Sequence, residues 1–197
     1  MFLSVPDSVA LVIGSEQIIS ALFGYGSFTD NSVLNSSNAL YYFGLGLPAF
    51  ALIKVFSTFF FANHDTKTPF YISLVSVLLN ILISVYFFKD IGFIIIPIAT
   101  TISSWFNSLI LFIYLKNNDL FEFNEIFFKK FIKIAFASMM MGVFFKYMIL
   151  FFENELSYTY YLKSVYLVLC VLLTIIFYFA LSYFIKAFNY QDIKLKY

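Results

Sequence analysis

The sequence predicts an all-α membrane protein, a polytopic bundle of about six transmembrane helices. Three observations carry this. Of 197 residues, 62% are hydrophobic and only 12% charged, against roughly 45–50% and about 25% in soluble globular domains. Several stretches approach the ~20 apolar residues that cross a bilayer. These stretches, such as 70–88, are continuous rather than alternating. Hydrocarbon admits only helices or a closed barrel, and barrel strands alternate polar with apolar residues, so helices are selected.

The first span is expected at about 1–23. It is no signal peptide, because it lacks a basic start and carries Asp7 and Glu16 where a uniform apolar run would be needed. A polar turn over 24–31 leads to the second span, 38–62, which contains Gly44, Gly46, Pro48 and Lys54. The two glycines suit close helix packing or a bend at Pro48. Residues 63–69 form a tight polar loop, and Pro69 suits the first position of the next helix. The third span covers 70–88 with Asn80 near its centre, and a short turn at 89–92 precedes the fourth, 93–115, which holds Pro97, Trp105 and Asn107.

Residues 116–130 make the longest polar connection, which Phe121, Phe123, Phe127 and Phe128 place on the membrane surface. A final helix pair is expected at 131–152 and 165–188, joined by an acidic, Tyr-rich loop and followed by a short tail, 189–197. Cys170 sits between Leu169 and Val171 and reads as small apolar packing.

Lysine placement orients the bundle. All twelve basic residues are lysine. With the spans above, one side receives Lys67, Lys116, Lys129, Lys130, Lys133, Lys186, Lys194 and Lys196, while the opposite side receives Lys89 and Lys163. Cytoplasmic loops are the lysine-rich ones, so both termini are expected in the cytoplasm. The net charge of +1 offers no basic face for nucleic acid.

No catalytic constellation is visible. One His and one Cys make no zinc site, and no Gly-rich phosphate loop is present. The chain is therefore expected not to be an enzyme, with no metal or cofactor. The informative groups are polar side chains at membrane depth, where a charge costs on the order of 2.5–3.5 kcal/mol even on a lenient scale. Lys54 lies eight residues before Ala62, roughly 12 Å from that helix end at 1.5 Å per residue. Two readings are open: its ammonium snorkels to the interface, or it faces a hydrated cavity and meets an anion or carboxylate. Asn80 and Asn107 are expected as interhelical hydrogen-bonding residues.

The stretch Lys54-Val55-Phe56, then Phe60-Phe61-Ala62-Asn63-His64-Asp65-Thr66-Lys67-Thr68-Pro69, resembles the MurJ (MviN) family of lipid II flippases. That family carries a lysine in this helix, an aromatic-rich helix end and a D-T-K-T-P loop. Upstream, Ser15-Glu16-Gln17-Ile18-Ile19 followed by Leu22-Phe23-Gly24-Tyr25-Gly26-Ser27-Phe28 is similar to the family's turn, and Asn80, Gly92 and the run Ala99–Asn107 follow in the same order. The clear resemblance covers about 5–115; the last two helices match by position and hydropathy only.

The resemblance implies part of an exporter-superfamily flippase fold, corresponding to about the last six of fourteen helices, with the amino-terminal helices missing. It implies transport of lipid-linked peptidoglycan precursor across the bacterial inner membrane by alternating access, with lipid II and membrane lipids as partners. A related polysaccharide or O-antigen flippase, or a fragment inactive by itself, are the alternatives. Lys54 becomes the candidate substrate contact through the pyrophosphate. Asp65, Lys67, Thr68 and Pro69 become a structural or gating loop, Asp65 through helix capping.

Overall fold

A computed structural model describes residues 1–118 and 125–187. It contains six α-helices and one 3₁₀ turn: α1 (Ser4–Phe23), α2 (Asp30–Ala62), α3 (Lys67–Ile91), the turn Gly92–Ile94, α4 (Ile95–Asn117), α5 (Glu125–Phe151) and α6 (Lys163–Phe184). The described residues contain no strand. Five continuous segments among them are long and apolar enough to span a membrane, and the third, Lys67–Asn117, folds back on itself as the α3–α4 hairpin. The chain is an integral membrane protein. Expectations for Phe121, Phe123, the Phe127 side chain and the tail, including Lys194 and Lys196, fall outside the described residues.

The helices lie in the spatial order α3, α4, α2, α1, with α5 and α6 both packed on α1. Proline placement suits the helix starts. Pro6, Pro69 and Pro97 each sit at the third position of a helix, where a missing N–H leaves no intrahelical bond unmade. Pro48 alone lies inside a helix. It removes the donor that would bond the Gly44 carbonyl, and Ser8 Oγ of α1 donates to that carbonyl at 2.7 Å. One turn away, Thr101 Oγ1 and Trp105 Nε1 of α4 donate to the carbonyls of Tyr42 (2.6 Å) and Leu45 (3.1 Å). Neighbouring helices thus satisfy α2 at its weak point, as hydrocarbon requires.

Helix ends extend beyond the apolar runs. α2 begins at Asp30, eight residues before the expected Asn38, because the Thr29 hydroxyl caps the amide of Ser32 at 3.3 Å. α3 begins at Lys67 and not at Pro69, since Asp65 caps its first amides. At 33 residues α2 is about 50 Å long, so it outreaches a ~30 Å hydrocarbon core.

Between α1 and α5 the contact is close. A Cβ added to Gly142 would lie 2.5 Å from Val9 Cγ1, and one added to Gly14 would lie 2.5 Å from Phe145 Cε1. In lipid such approach is what gains dispersion energy, because apolar burial alone does not drive association there. The adjoining core gathers Ala21, Phe145, Ile149, Leu156, Leu167 and Cys170. Phe144 and Phe177 stack across α5 and α6 with centroids 4.4 Å apart.

Candidate functional site

Lys54 lies on the carboxy-terminal half of α2, beyond Pro48. Its neighbours Phe56 and Phe60 turn inward onto Leu111 and Leu115 of α4, while Lys54 itself is exposed, as are Val55 and Thr58. No carboxylate among the described residues pairs with it. Of the two open readings, a carboxylate partner within these six helices is therefore absent among the described residues. An uncompensated ammonium roughly 12 Å from the helix end stands on the outer surface of the bundle.

The 63–69 loop is built from two interlocking helix ends. α2 closes with the amide of Asp65 bonding the Phe60 carbonyl (3.0 Å) and that of His64 bonding Phe61 (3.0 Å). This double bond pattern requires a left-handed residue, supplied by His64 at φ 58°. Asp65 then accepts from the amides of Lys67 (3.1 Å) and Thr68 (3.0 Å), satisfying two unpaired donors of α3. Hydrogen bonding from the Thr68 side chain and amide, followed by the amide and charge of Lys67, holds the Asp65 carboxyl below its ordinary value. Pro69 is buried, and Lys67 and His64 are exposed.

Asn80 and Asn107 both lie on the α3–α4 seam. Asn80 Nδ2 donates to Thr100 Oγ1 (3.0 Å) and Ser103 Oγ (3.3 Å), and its Oδ1 accepts from Ser84 at 3.5 Å. Asn107 Nδ2 reaches Ser73 Oγ at 3.4 Å, whereas its buried Oδ1 has no partner. The structure thus puts Asn80 and Asn107 on one seam and leaves Lys54 and the 63–69 loop on other surfaces; the four do not converge.

Lys163, counted from the sequence as a surface charge of the loop before α6, is fully buried. Its Nζ donates to the carbonyls of Gly24 (2.6 Å) and Tyr158 (2.7 Å). The same nitrogen lies 4.5 Å from the ring centre of Tyr25 and 4.6 Å from that of Tyr158. Burial has a physical reason: Tyr158 covers Lys163 from five residues away, but Gly24 and Tyr25 come from a turn 139 residues distant, which no local pattern reveals. The sequence signal was the tyrosines on both sides of the contact.

Between α1, α5 and α6, at the end opposite Lys163, lies a mainly apolar cavity of about 200 Å³ whose walls include Pro6, Asp7, Met141, Thr174 and Tyr178. Tyr178 closes one side by donating to the Phe2 carbonyl at 2.6 Å.

Comparison with known proteins converges on one family. The family model described as "Lipid II flippase MurJ" matches residues 1–167. A "Probable lipid II flippase MurJ" of Rhizobium meliloti (strain 1021) is 38% identical over 112 residues, covering 57% of this chain and 21% of that protein. The protein of the same description from Buchnera aphidicola subsp. Schizaphis graminum is 28% identical over 199 residues, covering 98% of this chain and 38% of its own length. A solved structure titled "Lipid II flippase MurJ, inward closed conformation" superposes with a TM-score of 0.75 at 26% identity, over 98% of this chain and 37% of that one. The chain thus spans between about a fifth and two fifths of the length of these relatives. The similarity reaches past the expected limit near Leu115 into α5 and the start of α6. The chain belongs to the lipid II flippase MurJ family.

Proposed function

We propose that this chain forms the carboxy-terminal part of a flippase that moves lipid II from the inner to the outer leaflet of the bacterial cytoplasmic membrane by alternating access. The observation that carries the reading is Lys54. A pyrophosphate head group needs cationic partners in a hydrated space shielded from lipid, and an exposed lysine with no carboxylate partner among the described residues meets that need. Placed against lipid instead, it would bear the cost of a charge in hydrocarbon. The helices that make up the rest of the relatives' length supply the facing wall of the cavity. The polyprenyl tail takes an apolar groove formed partly by α5 and α6, beside the cavity that Met141 and Tyr178 line.

The 63–69 loop holds the cytoplasmic ends of α2 and α3 in register through Asp65, and Asn80, far more than Asn107, holds α3 against α4. Both termini are cytoplasmic, a reading supported by the lysine-rich loops of one side. Transport, and no covalent chemistry, is the activity.

The test places Lys54→Ala in the full-length protein and asks whether it sustains a flippase-depleted cell. Loss of growth at unchanged protein level is the expected outcome. Normal growth removes Lys54 from the site.

A further inference from the structure

Three unfavourable circumstances meet at Lys163. Its side chain is fully buried. It is the first residue of α6, the end at which the helix dipole repels a cation. No carboxylate among the described residues pairs with it; its partners there are two carbonyls and two ring faces. Each partner is neutral, so the desolvation of the ammonium is offset only while all four stay in place.

Those partners join two separate connections. Gly24 and Tyr25 belong to the α1–α2 turn, and Tyr158 to the segment between α5 and α6. Around the ammonium, Tyr25 Oη and Ser164 Oγ share a 2.6 Å hydrogen bond, Ser164 donates to the Ala21 carbonyl (2.8 Å), and Tyr158 Oη donates to the Phe28 carbonyl (2.6 Å). We infer that Lys163 is the bolt of a releasable strap, fastening the α5–α6 connection onto the α1–α2 turn through Gly24, Tyr25 and Tyr158. A cation held by carbonyls and rings has water as its competitor, so displacing one aromatic face admits solvent and frees the whole connection. The strap fixes the final helix pair to α1 at one end, as Tyr178 and Phe2 do at the other. It rests on these contacts alone and not on the transport reading, which stands or falls separately.

Acetylation of the full chain in membrane vesicles by a water-soluble N-hydroxysuccinimide ester, read by mass spectrometry, tests it. Lys89 is exposed at the same end of the bundle and serves as reference. Lys163 is expected to react about tenfold or more slowly than Lys89, as a group modified only through local opening. The pair Tyr25→Leu and Tyr158→Leu should bring the two rates together. In Tyr25→Leu alone, amide exchange should quicken at 24–28 and 156–162 while α3 and α4 keep their protection. Equal rates in the unsubstituted chain overturn the strap. So does protection of Lys163 that survives loss of both rings, since the bilayer would then be its source, and so does exchange that quickens uniformly.

Discussion

Two lysines of this chain exchange the roles that sequence position suggests. Lys54 interrupts a long apolar run and reads as a buried charge, yet it is exposed and unaccompanied on the surface of α2. Lys163 borders a polar loop and reads as a solvated charge, yet it is sealed beneath two tyrosine rings. Burial of a long cationic side chain is decided by what folds over it and not by its immediate neighbours. The difference also separates two regions. Around α1, α5 and α6 the bundle is closed by tight packing and polar fastenings. Along the far half of α2 it presents a face with an uncompensated charge. The first region carries stability; the second carries the proposed function.

The largest effect expected from this division is in the closed region. Gly142→Leu drives a branched side chain into Val9 and Ile13 of α1 and should destabilise the bundle by about 1–3 kcal/mol, read as thermal unfolding in detergent. Lys54→Ala, an exposed change, should stay within about 0.5 kcal/mol of the parent protein. Equal losses for the two would erase the contrast between the regions.

A smaller effect resolves the α3–α4 seam. Asn80→Ala removes two interhelical donations, for which about 0.6–1.7 kcal/mol is the usual range in membrane bundles. Asn107→Ala removes one long hydrogen bond together with an oxygen that has no partner, so its net effect should be near zero. A reversed order would show that the seam is organised around Asn107.

The smallest effect is pH-dependent and local to the 63–69 loop. Because the folded protein holds the Asp65 carboxyl below its ordinary value, the carboxyl favours folding above the unfolded-state value. That contribution fades as pH falls through the depressed folded value. Protection of the Lys67 and Thr68 amides, taken relative to their intrinsic exchange rates at each pH, should therefore fall on acidification in the parent protein, and be low at every pH in Asp65→Ala. Protection that is insensitive to pH in the parent protein would deny Asp65 its capping role.

Much of the architecture was legible because a bilayer leaves the chain few choices. Hydropathy located the six helices of the described residues, and Pro48 marked the one place where α2 lacks a donor. The ends were less legible. A hydropathy window cannot see the Thr29 cap or the Asp65 cap, so α2 and α3 start earlier than their apolar runs. Lys54 was visible as a charge out of place, although its exposure depends on how α2 turns Phe56 and Phe60 toward α4. Lys163 was not legible as a buried group, since half of its cover, Gly24 and Tyr25, comes from a turn 139 positions away. The donor that Ser8 gives to the Gly44 carbonyl was equally hidden, because Pro48 shows which carbonyl is freed but not which helix lies beside it.

The most direct test of the account is the solvent at Lys54 in the full-length protein. With Cys170, the single cysteine of this chain, replaced by serine and any further cysteines of the full-length protein likewise removed, Lys54→Cys is exposed in turn to a charged, water-soluble thiol reagent and to a lipid-soluble one. A hydrated cavity predicts labelling by the charged reagent, slowed when lipid II is present. Labelling by the lipid-soluble reagent alone would put Lys54 against the bilayer and contradict the proposed site.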